Sequence, residues 1–187
     1  MTKAFCIEGF VIASADGNIA DHRHAMPQDL HSDADQAQFS AALDKADVLV
    51  HGAHSHEGQP RSDLRRRLIM TRQRGLAKVA VGPNGLYWNP EESSLAQACE
   101  AFNLRAGRVA VLGGPEVFLH FLHVGYDAFY LSRLGGLVIP GGLPVFARRA
   151  VPESAETLLA RHGLTPDAAQ LLEAERDVTV TVWRARR

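Results

Sequence analysis

The chain has 187 residues, 46% of them hydrophobic, which is enough to bury a sizeable core in one domain. Its formal net charge of −1 at pH 7 argues against a nucleic-acid-binding protein, because such proteins carry a strongly basic surface. Two cysteines far apart in sequence predict free thiols in the cytoplasm, and the apolar runs are too short to cross a membrane.

Apolar runs that end at glycine or other turn residues predict the strands of a buried sheet. The predicted strands cover, in chain order, residues 3–13, 48–52, 67–71, 77–81, 109–112, 127–132, 143–146 and 178–183. The spacing of apolar residues and the capping residues predict helices over 33–45, 94–104, 115–122 and 156–161. The polar stretches 18–32 and 54–66 predict loops, and residues 83–92 read as irregular.

Strands and helices alternate through most of the chain. This order predicts a single α/β domain over residues 1–187, with a mainly parallel sheet flanked by helices and an antiparallel C-terminal end. Ligands of such sheets gather at the carboxyl ends of the strands. Four segments that directly follow predicted strands are therefore expected to converge on one crevice: 14–18, 52–55, 71–72 and 113–114.

Gly113 and Gly114 lie between a predicted buried strand and a predicted helix. Pro115 suits the first helical position, and Glu116 complements the positive helix N-terminus. Backbone N–H groups exposed at such a turn suit an anion, above all a phosphate. The alternative is a tight strand-to-helix turn that binds nothing.

Several short segments occur in a characteristic order along most of the chain. They are S-A-D-G-N-I-A at 14–20, D-x-x-x-F at 35–39, A-D-V-L-V-H-G at 46–52, V-L-G-G-P-E-V at 111–117, D-A-F-Y-L-S at 127–132 and G-G-L-P-V-F at 141–146. This set resembles the dihydrofolate reductase-like superfamily, and most closely the C-terminal reductase domain of the bacterial bifunctional riboflavin-biosynthesis deaminase-reductase. The resemblance implies a dihydrofolate reductase-like fold and an NADPH-dependent reductase of a small heterocycle, of pterin or pyrimidine type.

The resemblance also implies which residues hold the cofactor NADPH. They are the backbone near Ala13 and Ile19 beside the nicotinamide, Gly52, His54 and Ser55 at the phosphates, Gly113, Gly114, Pro115 and Glu116 at the diphosphate, and Thr71 and Arg72 at the adenosine end. Thr71 can hydrogen-bond a 2′-phosphate, and the planar guanidinium of Arg72 favours NADPH over NADH.

Asp35 matches the carboxylate that binds the pterin ring in dihydrofolate reductases, and Ser132 matches a hydroxyl near it on a neighbouring strand. Burial in a cleft would raise the pKa of Asp35 and keep it useful as an acid near neutral pH. The alternative for Asp35 is a carboxylate that stabilises a helix N-terminus. Phe39 and Phe118 are predicted to line the substrate pocket, with packing in the core as the alternative.

Two positions depart from the family pattern. Ala53 replaces an arginine that dihydrofolate reductases usually carry, and Phe10 replaces a lysine frequent in the riboflavin-pathway reductases. They motivate a second hypothesis, a non-catalytic nucleotide-binding module of the same fold that has lost turnover.

Three further expectations concern a turn residue, a metal site and the last predicted strand. Asp16 is predicted to be a turn residue because it precedes a glycine. No metal site is expected at His51, His54 and His56, because no acidic or cysteine partner stands at metal-site spacing. The strictly alternating strand 178–183 predicts one solvent-facing side and suggests a homodimer through this strand.

Overall fold

A nine-stranded sheet organises the fold over residues 4–53, 61–75, 79–146 and 153–186, which are the residues that the computed structural model describes. In chain order the strands are β1 (Phe5–Ser14), β2 (Asn18–Ala20), β3 (Val48–Gly52), β4 (Arg67–Met70), β5 (Gly85–Trp88), β6 (Gly107–Gly113), β7 (Ala128–Leu134), β8 (Leu143–Pro144), β9 (Leu164–Pro166), β10 (Gln170–Glu173) and β11 (Val178–Ala185). The α-helices are α1 (Asp33–Leu43), α2 (Leu95–Glu100), α3 (Pro115–Val124) and α4 (Ala155–Arg161), and two 3₁₀ turns cover Gln28–Leu30 and Ser62–Leu64.

The strands of the large sheet follow the order β10-β11-β7-β1-β6-β3-β4-β5, with β9 beside β11. Strands β1, β3, β4, β5, β6 and β7 run parallel, whereas β9, β10 and β11 are antiparallel to their neighbours. Strands β2 and β8 form a separate two-stranded sheet. The predicted fold class, a mainly parallel sheet with an antiparallel C-terminal end, is confirmed.

Helices cover both faces of this sheet, which is why its central strands are apolar on both sides. Val117, Phe118, Phe121 and Leu122 form the buried stripe of α3 and belong to the main core with residues of β1, β6 and β7. On the opposite face, Leu43 of α1 packs with residues of β1, β3 and β6. Complete burial of one such side chain contributes about 1.5–3 kcal/mol, so these two layers hold α1 and α3 against the sheet.

The strand predicted at 77–81 is wrong, and the edge strand β5 lies at Gly85–Trp88 in a stretch predicted to be irregular. Of the predicted strand, residues 77 and 78 lie outside the described residues, and Ala80 forms only an isolated antiparallel bridge with Leu86. The chain reverses at Gly82, whose φ is +66°. Only the segment after this reversal runs parallel to β4, and it therefore takes the sheet position.

The remaining differences concern element ends and short elements. Helix α2 stops at Glu100 instead of residue 104, because the amide of Leu104 turns back to the Cys99 carbonyl (3.1 Å) and Asn103 has a φ of +57°. Helix α1 ends two residues before its predicted end at 45, where the chain turns towards β3. The predicted loop 18–32 contains β2 and a 3₁₀ turn, and β9 was not predicted.

Strand β11 alternates in burial as its sequence predicted, and both of its edges are paired with other strands. It pairs with β7 on one side and with β9 and β10 on the other, and Trp183 is buried together with Val178, Val180 and Val182. On the opposite face Thr179 and Thr181 are only half-buried and Arg184 is exposed, so the alternation between a buried and a more open side follows the prediction, while strands of the same chain pair with both edges of β11. None of the helices in the described part of the chain combines the length and the apolar character of a membrane-spanning segment.

Cys99 is expected to resist thiol reagents in the folded protein. It is buried in α2, and burial raises its pKa to about 11, so that little reactive thiolate exists near neutral pH. In a Cys6→Ser variant, a thiol-reactive chromophore at pH 8 should label Cys99 only after denaturant is added. Rapid labelling of the native variant would contradict the buried position of α2.

Candidate functional site

The carboxyl ends of the parallel strands meet at one edge of the sheet, as the sequence predicted. His51 pairs with Gly113, and Gly52 pairs with Met70. The hydrogen bonding between β4 and β5 continues one residue beyond β4, where the Thr71 amide donates to the Trp88 carbonyl (2.9 Å). With about 5 Å between neighbouring strands, the glycine turn and Thr71 lie about 10 Å apart on this edge.

The turn between β6 and α3 has the geometry that an anion site requires. Gly113 has a φ of +94°, and a Cβ atom there would lie 2.5 Å from Cε2 of Phe118. Gly114 is the N-cap of the ten-residue α3 and supplies no capping side chain, while Pro115 begins the helix and Glu116 is exposed. The first-turn N–H groups of α3 therefore remain available to a bound anion.

Residues after β3 and β4 extend this edge away from the glycine turn. Gly52 and Thr71 are half-buried, and the Thr71 hydroxyl accepts a hydrogen bond from the Gln73 amide (3.1 Å). Arg72 is exposed and forms no ion pair within the part of the chain that the structure describes. His54 and Ser55, both predicted to meet the phosphates, lie outside the described residues.

The end of β1 lies between the glycine turn and β7. Ala13 is 0% exposed, so that only its backbone can border a ligand, and Ile19 in β2 is half-buried. Asp16 accepts hydrogen bonds from the Ser14 hydroxyl (2.5 Å) and the Ile139 amide (3.0 Å). Burial alone would raise the pKa of Asp16, but these hydrogen bonds outweigh it and lower the pKa. These contacts fit the predicted role of a turn residue.

The side chains of Asp35 on α1 and Ser132 on β7 form a hydrogen bond with each other. Ser132 is 3% exposed on β7, and Asp35 occupies the first turn of α1. Burial raises the pKa of the Asp35 carboxyl, while hydrogen bonding with Ser132 and the charge of His31 lower it to a smaller extent. A carboxyl that keeps its proton to a higher pH than usual, beside a hydroxyl, can donate a hydrogen bond or a proton to a ligand.

An aromatic layer adjoins this pair. Phe10 stacks on Tyr130 with 4.7 Å between ring centroids and 12° between planes, and Phe39 packs against Phe10 at 6.0 Å. Phe39 follows Asp35 by one helical turn, and Tyr130 precedes Ser132 by two strand positions, so all of these side chains share the space between α1 and the sheet. Phe10, a departure from the family pattern, is thus part of this layer.

Phe118 has a different environment from the one predicted for a substrate contact. It is 1% exposed and packs edge-on against Phe129 at 5.6 Å and Phe146 at 6.4 Å between centroids. Because its ring also fills the space in front of Gly113, its contribution is to shape the glycine turn from the core. The alternative of core packing describes Phe118, whereas Phe39 lies beside Asp35.

A cavity of about 840 Å³ adjoins the turn after β1 and was not foreseen from the sequence. Arg133 lines it and donates to the Ser14 carbonyl (3.0 Å) and, through Nε, to Glu156 (3.1 Å). No local signal marks this pairing, because Glu156 is on α4, far along the chain. Within the described residues, no group of three or more histidine, cysteine or acidic side chains is placed to hold a metal ion.

Comparison with solved structures finds close agreement in fold at low sequence identity. A Shewanella sp. PV-4 structure described as a riboflavin biosynthesis protein has a TM-score of 0.66 at 17% identity, covering 97% of this chain and 99% of that one. Dihydrofolate reductase from Enterococcus faecalis, complexed with NADP(H), has a TM-score of 0.63 at 15% identity, with 97% of both chains covered.

A third similar structure is the diaminohydroxyphosphoribosylaminopyrimidine deaminase/5-amino-6-(5-phosphoribosylamino)uracil reductase of Thermotoga maritima. Its TM-score is 0.63 at 17% identity, and the alignment covers 97% of this chain but 56% of that protein. No family model matches the chain, and no curated protein matches it by sequence. The chain therefore has the dihydrofolate reductase-like fold, and the predicted resemblance is confirmed at this level.

Proposed function

We propose that the protein is an NADPH-dependent reductase that transfers hydride to a small, flat heterocycle of pterin or pyrimidine type. One observation carries the proposal: the glycine turn after β6 and the Asp35–Ser132 pair at β7 flank the end of β1, which lies between those two strands. A dinucleotide seated on the turn and a heterocycle held by Asp35 would then meet over β1. Hydride transfer needs mainly this juxtaposition.

The residues at the glycine turn fit the cofactor. A phosphate can accept from the uncapped first-turn N–H groups of α3, and a side chain at Gly113 would collide with Phe118. Arg72, which is exposed and has no ion pair within the described residues, suits a 2′-phosphate near Thr71. When bound, the reduced nicotinamide supplies the hydride. The similarity to a dihydrofolate reductase complexed with NADP(H) supports this assignment.

The substrate side suits a planar ring that carries hydrogen-bonding nitrogen atoms. The half-buried Asp35 carboxyl can hold a proton towards such a nitrogen, and Ser132 orients the carboxyl. The half-buried rings of Phe39 and Tyr130, which pack around the buried Phe10, offer an apolar surface to a flat ring. Two of the similar structures are named as reductases of dihydrofolate and of 5-amino-6-(5-phosphoribosylamino)uracil, which contain a pterin and a pyrimidine ring.

NADPH is expected to raise the melting temperature more than NADH does. A ligand at 100 times its Kd stabilises the folded state by about 2.7 kcal/mol, which is roughly 5–10 °C for a chain of this size. Arg72→Ala should leave the melting temperature of the free protein unchanged. It should reduce the difference between the melting-temperature shifts that NADPH and NADH cause. The absence of a shift with either nucleotide would remove the proposal.

Turnover separates the reductase from the non-catalytic module. NADPH absorbance should fall in a screen of pterins, pyrimidines and simple carbonyl compounds. If the nucleotide binds tightly and no compound in that screen is reduced, the non-catalytic module is the better description.

A further inference from the structure

The turn between β10 and β11 contacts the start of α1, although more than 140 residues separate them in the chain. We call residues 173–177 the hairpin turn. Its last residue, Asp177, accepts a hydrogen bond through its carbonyl from the Gly135 amide (2.9 Å), just after the end of β7. The hairpin turn is thus anchored to the strand that carries Ser132.

Glu173 connects the hairpin turn to the backbone of Asp35 through one hydroxyl. Ser32, which is 3% exposed, donates from its hydroxyl to the Glu173 carboxylate (2.8 Å). The same hydroxyl caps α1 by accepting from the Asp35 amide (3.3 Å). A buried hydroxyl with both a donor and an acceptor partner has a defined orientation, so this link fixes the first turn of α1.

Arg176 holds the segment that precedes Ser32. Its guanidinium donates from one nitrogen to the carbonyl of His31 and from the other to the carbonyl of Asp29. Leu30, between these two residues, is 0% exposed and packs in a small core with Leu134 and Val178. The planar fork can bridge two carbonyls at once, which a single ammonium group cannot do with the same geometry.

We infer that Glu173 and Arg176 are positioning residues, which hold Asp35 of α1 against Ser132 of β7 at the candidate site. The hairpin turn forms hydrogen bonds both to the end of β7 and to the start of α1. It thereby sets the distance between the end of β7 and the first turn of α1. The inference concerns the acid of the proposed reductase and rests on that function for its catalytic meaning, whereas the positioning itself can be measured without substrate.

The test measures the pKa of Asp35 from the carbon-13 shift of its carboxyl group as a function of pH, with Asp35→Asn identifying the signal. If the hairpin turn holds α1 in place, Arg176→Ala releases its first turn, water reaches the carboxyl, and the pKa of Asp35 falls towards its ordinary value of about 3.9. Loss of the Arg176 charge alone would act in the opposite direction, because a cation favours the ionised carboxylate. The sign of the change therefore separates the two causes.

Four further variants complete the design. Arg176→Lys keeps the charge without the fork and should give a smaller fall of the Asp35 pKa, and it serves if Arg176→Ala does not fold. Glu173→Gln keeps an acceptor for Ser32 and should change the pKa less than Glu173→Ala does. The matched control is Glu175→Gln, in which the same charge is lost from an exposed residue of the same turn, and the Asp35 pKa should not change.

NADPH binding distinguishes failure of this inference from failure of the proposed function. All hairpin-turn variants should bind NADPH like the wild type, since the glycine turn lies elsewhere. Once a heterocycle that the enzyme reduces has been identified, Arg176→Ala should lower the kcat for that substrate. It should also shift the pH profile of kcat to lower pH without changing the KM for NADPH. An unchanged or raised pKa of Asp35 in both Arg176 variants would overturn the inference, whether or not NADPH binds.

Discussion

Gly113→Ala is expected to destabilise the protein strongly and to abolish NADPH binding. The added Cβ would lie 2.5 Å from Phe118, which is buried and cannot move aside, and the φ of +94° disfavours any side chain. Overpacking and a strained backbone together cost about 4 kcal/mol, or roughly 10 °C in melting temperature for a chain of this size. Thermal unfolding with and without NADPH measures both effects.

Gly125→Ala is the matched control for this change. Gly125 caps the other end of α3 with a φ of +100°, and a Cβ atom there meets nothing within 4 Å. It shares the backbone cost without the collision, so we expect about half the loss of stability and unchanged NADPH binding. Equal stability of the two variants, or full NADPH binding by Gly113→Ala, would contradict the assigned role of the glycine turn.

Asp35→Asn is expected to lower turnover by about 10²- to 10⁴-fold, the usual contribution of a positioned acid, and to raise stability at neutral pH. Burial raises the pKa of the folded Asp35 above its unfolded value of about 3.9. The folded state therefore binds the proton more tightly, and stability is lost as the pH rises from about 3.9 through the folded pKa. Asparagine cannot ionise and avoids this loss.

Unfolding of Asp35→Asn and wild type between pH 3 and pH 7 measures the stability effect. The variant should gain stability over the wild type as the pH rises, with little gain below about pH 3.9. Asp33→Asn is the control, because Asp33 lies in the same helical turn with a fully exposed side chain, and its turnover should equal that of the wild type. A wild-type rate for Asp35→Asn would show that this carboxyl is only a helix-terminus residue.

The stretch from β6 to α3 shows how much a local pattern can determine. About fifteen residues contain a buried apolar run, two glycines, a proline at the first helical position and an apolar stripe at helical spacing. The strand, turn and helix that these features predict are all present in the structure. The same holds for the Ser32 cap and the start of α1. These features depend on the intrinsic preferences of neighbouring residues, which the sequence displays directly.

Strand β5 and Phe118 show where local patterns fail. Residues 77–81 and 85–88 are both short and partly apolar, and the choice between them depends on which one runs parallel to β4. Phe118 and Phe39 both lie on helices that flank the site. Only the packing of Phe129 and Phe146 around Phe118 decides that one ring is sealed in the core while the other borders Asp35.

The sequence by itself determined the α/β class, the glycine turn and the helix that carries Asp35, because the local spacing of residues implies them. It also determined the edge of the sheet at which the carboxyl ends of the strands meet, because the strand direction implies it. Only the tertiary structure decided that Glu173 and Arg176 hold the start of α1, and that Arg133 joins β7 to α4. These bonds join residues far apart in the chain. Their partners are selected by the three-dimensional packing of the sheet and helices, and no pattern of neighbouring residues records that selection.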